Sequence, residues 1–138
     1  MADSVLRLEN VSKAYSSPDG STVEILKDID LSIEMGSSVS IVGQSGCGKS
    51  TLLACAALLL SSDGGRIIYN GEDVRYLDDR ALSELRRNSM GFVFQSSLLL
   101  EDFTALENVA MPLLIKGIKK RDAYRRAEEY LALMKIDD

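Results

Sequence analysis

Histidine is absent from all 138 residues, and cysteine occurs only twice, at Cys47 and Cys55. Eight positions apart with no imidazole anywhere, the two thiols match none of the usual zinc spacings and supply no disulfide framework. Reduced thiols in a cytosolic compartment fit best. Positive charge is also scarce: 16 basic against 21 acidic residues leave a net charge of −5, so no basic field exists to recruit nucleic acid. Long hydrophobic runs are missing too. The longest, "LLACAALLL" at 52–60, is far short of the ~20 residues a bilayer requires, and the opening "MADSVLRLEN" has no signal-peptide core. Membrane association is therefore expected only through a partner. Apolar content is not deficient, at 46% with 27% charged residues, and the length fits one domain, or part of one, with a true core. There is no internal repeat and no low-complexity tract.

What is present begins as short strands. "SVLRLENV" and "VEILKDIDLSI" flank "SSPDGS", whose Pro18, Asp19 and Gly20 mark a turn, so the opening reads as antiparallel β. Residues 38–42 ("SVSIV") read as a strand entering a glycine-rich loop. The following "KSTLLACAALLL" is apolar nearly all round, as a helix buried beside a sheet would be. "GRIIYNGEDV" carries an Asn70-Gly71 hairpin signal. From Asp78 the pattern turns helical, with Leu82 and Leu85 on one face and Arg86 and Arg87 in the last turn. Residues 91–94 ("GFVF") read as a short buried strand. Thr104 and Glu107 form a capping box ahead of "ALENVAMPLLI", in which Pro112 is expected to kink or end the helix. A last amphipathic helix carries Ala123, Ala127, Leu131 and Met134 at helical spacing.

The chemistry concentrates in "GQSGCGKST", residues 43–51. Gly43, four residues, Gly48, Lys49 and Ser50 form the pattern of a phosphate-binding loop, whose glycines let successive backbone N–H groups point at an anion. Chance produces that pattern in on the order of half a percent of chains this long. Placement between a predicted strand and a predicted helix lowers the figure further. The ligand indicated is a nucleoside triphosphate. Loop amides and the helix N-terminus would hold phosphate oxygens, Lys49 would reach the β and γ phosphates, Ser50 would ligate Mg²⁺, and Thr51 would donate to the α phosphate.

A phosphate loop alone leaves small kinases, GTPases and transporter ATPases open. Two flanking residues narrow the choice: Tyr15 in "VSKAY", ahead of the loop, and Gln95 in "GFVFQS", after it. With these, the chain resembles the ATP-binding-cassette (ABC) family. The stretch "GFVFQSSLLLEDFTALENVAMPLLIKG" is most similar to its lipoprotein-releasing and macrolide-exporter branch. The resemblance covers essentially the whole chain and implies an α/β P-loop NTPase fold of ABC type, truncated: an antiparallel β subdomain, part of the P-loop core and the start of a helical subdomain. It implies one partial ATP-binding domain, with residues 1–94 as β subdomain and loop core and 95–138 as glutamine loop and helical start. ATP and Mg²⁺ are the implied cofactors. Nucleotide would be held by Tyr15, Gly43, Gln44, Ser45, Gly46, Cys47, Gly48, Lys49, Ser50 and Thr51, with adenine stacked on Tyr15. Gln95 would touch Mg²⁺ and the attacking water, with Ser50 as the other metal ligand and Lys49 as the second catalytic group. Membrane permease subunits, a homodimer of the intact domain and a peripheral place on the cytoplasmic face of the cell membrane follow by the same resemblance. Cys47 stands where serine is commoner, and "CAALLLSSDGG" lacks the usual glycine pair and later proline, which puts local helix packing in question.

The family's L-S-G-G-Q signature, its apolar strand ending in Asp-Glu and its switch histidine do not occur in these 138 residues. "LLLED" at 98–102 and "KIDD" at 135–138 read as solvated acidic positions. Loss of a general base alone removes about 10² to 10⁴ in rate, so nucleotide binding without turnover is the expectation for the chain by itself. The leading assignment is the N-terminal part of a transporter ATPase subunit. A non-catalytic nucleotide-binding or regulatory module, a non-functional fragment and a soluble ABC ATPase stay open.

Overall fold

Alternating apolar residues drive the first part of the chain into sheet. In the computed structural model, which describes residues 4–96 and 98–136, β1 (Ser4–Ser16) pairs antiparallel with β2 (Thr22–Glu34). The connecting turn is closed by Gly20 N–H donating to the Ser17 carbonyl, and the Asp19 carboxylate accepts from both the amide and the hydroxyl of Ser21. Those two bonds hold Asp19 below the usual carboxylate range, the hydroxyl first. On its other side β1 pairs with β3 (Gly64–Tyr69), which turns through Asn70-Gly71 into β4 (Glu72–Asp73). Both turn residues have positive φ, at 48° and 84°, as a type I′ hairpin requires. The four-stranded order is β2-β1-β3-β4.

Leu6, Leu8 and Val11 are buried on β1, a spacing of two and then three. The extra residue is a bulge. Asn10 adopts φ 50° and its N–H donates to the Asp30 carboxylate at 2.8 Å, so alternation resumes one position later with Val11 inward. Gly65 lies against this bulge with φ 74°, and a Cβ there would fall on the Asn10 carbonyl. Leu26 of β2 and Ile67 and Ile68 of β3 are also buried, as are Cys55 and Leu58, which follow the phosphate loop. Burial pushes the Cys55 thiol up.

The chain divides into two units, Met1–Ser83 and Glu84–Asp138. The first holds the sheet and α1 (Lys49–Ala56); the division falls within α2 (Asp79–Ser89), whose N-terminus is capped by the Asp78 carboxylate accepting from Ala81 N–H. Leu82 and Leu85 share the expected face but are only half-buried. In the second unit α3 (Ala105–Ile115) and α4 (Lys120–Leu133) pack as a hairpin around Ala110, Ala123 and Ala127, all fully buried, with Leu106, Val109, Leu113 and Tyr124 against them. The Thr104–Glu107 capping box forms in both directions. Leu131 lies half-buried, whereas Met134 is exposed just beyond the helix.

Three expectations are corrected, and a fourth is narrowed. Residues 38–42 and 91–94 carry no strand pairing among the described residues, and Val42 and Val93 are 86% and 102% exposed, so the two predicted strands are exposed segments without regular secondary structure. A strand needs a neighbour to satisfy its backbone, and apolar composition does not supply one. Helix α1 ends at Ala56 instead of continuing to Leu60. Leu58 adopts φ 56°, Leu59 N–H donates back to the Ala54 carbonyl and Leu58 N–H to that of Cys55, which is a Schellman stop with leucine in the left-handed position. Pro112 does not end α3, which runs on to Ile115. Of the acidic positions read as solvated, Glu101 and Asp102 are exposed, while Asp137 and Asp138 lie outside the described residues.

Candidate functional site

Gly48 is the hinge between loop and helix. It is the N-cap of α1 with φ 96°, and a Cβ there would meet Ile25 Cγ2 at 2.9 Å and the Ile25 carbonyl at 3.0 Å. Only glycine permits both the left-handed conformation and this close seat on β2. The loop thereby abuts the strand hairpin at the end that carries Tyr15.

Past Gly48 the helix begins at Lys49 without a side-chain cap and without an acidic residue in its first turn. The first N–H groups of a helix have no intrahelical acceptor, so those of Lys49, Ser50 and Thr51 present donors and the positive end of the helix dipole at one point. Tyr15, Ile25, Ser45, Gly46, Gly48, Lys49, Ser50 and Thr51 together line a cleft of about 480 Å³. That volume is within the ordinary range for small-molecule sites. Tyr15 is 45% exposed, so it is not a core residue.

The Lys49 ammonium donates to the carbonyls of Gly43 at 2.9 Å and Gln44 at 2.6 Å, with Cys47 Sγ 3.9 Å away. Gly43, Gln44 and Cys47 therefore do not line the cleft; the first two shape the loop by anchoring its lysine, and Cys47 N–H closes a turn onto the Gln44 carbonyl. Cys47 is exposed. Gln95 is exposed and lies in the second unit. Apart from Tyr15, Ile25 is the one lining residue that the motif does not name. Its signal is the hairpin register, since Lys13 pairs with Leu26 and Tyr15 with Val23, which sets Ile25 between them on the adjoining strand.

A family model described as ABC transporter matches residues 26–138. The chain belongs to that family. This ABC chain is 46% identical over 128 residues to the lipoprotein-releasing system ATP-binding protein LolD of Geobacter metallireducens, a match covering 93% of the chain and 56% of the relative. It is 42% identical over 134 residues to LolD of Bacteroides thetaiotaomicron, covering 97% of the chain and 59% of the relative. Among solved structures, the dimeric post-hydrolysis state of the ATP-binding cassette MJ0796 bound to ADP and Pi superposes with a TM-score of 0.85 at 36% identity, covering 94% of this chain and 57% of that one. The ABC chain thus spans a little over half the length of these relatives. Its fold is the ABC-type P-loop NTPase fold, present in part, as the resemblance implied.

Proposed function

We propose that this chain is the N-terminal part of the ATP-binding subunit of an ABC transporter, which binds MgATP through residues 43–51 and Tyr15. The observation that carries the reading is that the uncapped N-terminus of α1, with Lys49, Ser50 and Thr51, lines one cleft together with Tyr15. Amide donors and a helix dipole select an anion, a mobile ammonium suits a polyphosphate, and an aromatic face suits a flat base. Gly43 and Gln44 carbonyls hold Lys49, and the phosphate oxygens would compete with them for its three protons.

The metal fits as a companion of the nucleotide. Among the described residues no cluster of His, Cys, Asp or Glu forms a cation cage. Ser50 adds a hard hydroxyl oxygen at the cleft, which matches Mg²⁺, an ion that keeps several waters and binds largely through substrate phosphates. Mg²⁺ supplies charge neutralisation between phosphate oxygens when bound. We assign Ser50 as a ligand and Gln95 as the second, with Lys49 and Gln95 as the groups that would act on the reacting phosphate. The arrangement we propose for the whole protein sets residues 1–94 as β subdomain and loop core and 95–138 as glutamine loop and helical start. It further includes a homodimer of the intact domain, permease partners in the membrane and a place at its cytoplasmic face. The LolD names of the relatives support lipoprotein release as the process. Among the described residues no helix is long and apolar enough to cross a membrane.

The 138 residues contain no L-S-G-G-Q signature and no histidine, so this chain alone is proposed to bind without turnover. Titration with a fluorescent ATP analogue alongside phosphate release tests both halves. Lys49→Ala should weaken binding roughly tenfold to a hundredfold, as loss of a charge-assisted contact does. Phosphate release above background that Lys49→Ala abolishes would contradict the second half.

A further inference from the structure

The segment between α1 and β3 reaches back to the strand that bears Tyr15. Pairing between β1 and β3 ends at Ser12↔Gly64. From there Asp63 replaces the ladder: its N–H donates to the Ser12 carbonyl at 2.9 Å, one carboxylate oxygen accepts from Ala14 N–H at 2.8 Å, and the other from Lys13 Nζ at 2.7 Å. One residue therefore grips three consecutive positions, and the next residue is Tyr15. The Lys13 side chain is only 11% exposed, and its ammonium stands 5.9 Å from the centre of the Tyr15 ring. Both groups feel the contact. The Ala14 amide and then Lys13 hold Asp63 below the usual carboxylate range, and Asp63 raises Lys13.

Resting on the nucleotide-binding assignment above, we propose that Asp63 is a positioning residue for nucleobase recognition, fixing the end of β1 so that Tyr15 is held at the cleft on which α1 presents its phosphate donors. The irregular register of β1 explains why such a clamp is required. Register shifts at Val11/Lys13 and Lys13/Ala14 separate the last regular pairs, Ala14↔Glu24 to Ser16↔Thr22, from the rest of the β1 ladder, so the placement of the stretch that bears Tyr15 depends on what holds the strand across those shifts. A carboxylate that satisfies the strand amide and the neighbouring ammonium together holds it there. Because Asp63 follows α1 in sequence, the same segment ties the phosphate loop's helix to the aromatic wall.

The test compares MgATP with magnesium tripolyphosphate, which shares the phosphates and lacks the base, by calorimetric titration of the 138-residue chain. Wild type should bind MgATP more tightly. Tyr15→Ala should erase most of that preference, about fivefold to a hundredfold by analogy with other base stacking on aromatic side chains. Asp63→Ala should weaken MgATP by about threefold to tenfold and leave tripolyphosphate unchanged, and it should have no further effect in the Tyr15→Ala background. Asp63→Asn keeps an oxygen for Ala14 N–H and should retain more of the preference. Lys13→Met leaves the Ala14 bond intact, guards against a poorly folded Asp63→Ala, and should shift the ratio the same way by less. Parallel weakening of both ligands by Asp63→Ala and Lys13→Met, an unchanged ratio in both, or an effect that persists without Tyr15 would overturn the positioning role. A wild type that binds both ligands equally would overturn it too while leaving the phosphate site standing. A wild type that binds neither would overturn the nucleotide assignment itself.

Discussion

Glycines in this chain do two different things. Gly71 turns a hairpin with φ 84° in open space, so alanine there meets only the backbone preference of an L-residue, about 1 to 2 kcal/mol. Gly65 has a similar φ of 74° and also lies on the Asn10 carbonyl at the β1 bulge. A methyl group cannot be accommodated there without moving the strand that carries Leu8 and Val11. We expect Gly65→Ala to destabilise the first unit by about 2 to 4 kcal/mol and Gly71→Ala by clearly less, read as the difference in urea midpoints. Equal midpoints would contradict the close-contact account. From sequence, Asn70-Gly71 is legible because a hairpin turn has a local signature, whereas Gly65 owes its role to Asn10, which is distant in the chain.

At the level of elements, α3 depends on its N-terminus. Glu107 accepts from both the amide and the hydroxyl of Thr104 at 2.9 Å, while Asn108 ties in the preceding loop by donating to the carbonyls of Leu100, Phe103 and Thr104 and accepting from Leu100 N–H. The Thr104 amide first, then its hydroxyl, hold the Glu107 carboxyl below its ordinary 4.5. A depressed carboxylate favours the folded form above its unfolded value, and that contribution is lost as pH falls through the lower folded value. Helicity of α3 should accordingly decline in acid below about pH 4.5, and Glu107→Gln should flatten that part of the profile while lowering stability at neutral pH. Far-UV circular dichroism against pH, wild type beside variant, checks this; superimposable profiles would contradict it. The capping box was readable from Thr104 and Glu107 because it lies within four residues. Asn108, one position on, was not singled out, since its four bonds depend on how the preceding loop folds back.

For the molecule as a whole, two exposed apolar segments matter most. Val39 and Val42 in the first unit and Phe92, Val93 and Phe94 in the second are exposed, with the two phenylalanine rings stacked at 6.0 Å. Exposed apolar segments of strand composition that lack a strand partner are templates for strand addition. The 138-residue chain should therefore associate with itself in a concentration-dependent way, and Val93→Asp should reduce that tendency. Sedimentation velocity across a range of concentrations decides, and a single monomeric species throughout would count against it.

The sequence by itself determined whatever depends on neighbours along the chain: the glycine loop and its lysine, the turns at Gly20 and Gly71, the capping box, and the alternation that makes β1 and β2 a hairpin. Each needs only residues a few positions apart, so spacing suffices. Tertiary structure alone decided the rest. Residues 38–42 and 91–94 have strand composition, yet pairing is a property of a partner, and none lies beside them among the described residues. Helix α1 stops early because Leu58 takes a left-handed conformation and is buried there, which no helical periodicity announces. The clamp of Asp63 on Lys13 and Ala14 joins residues about fifty positions apart, and it exists only because the sheet brings the end of β1 to the start of β3.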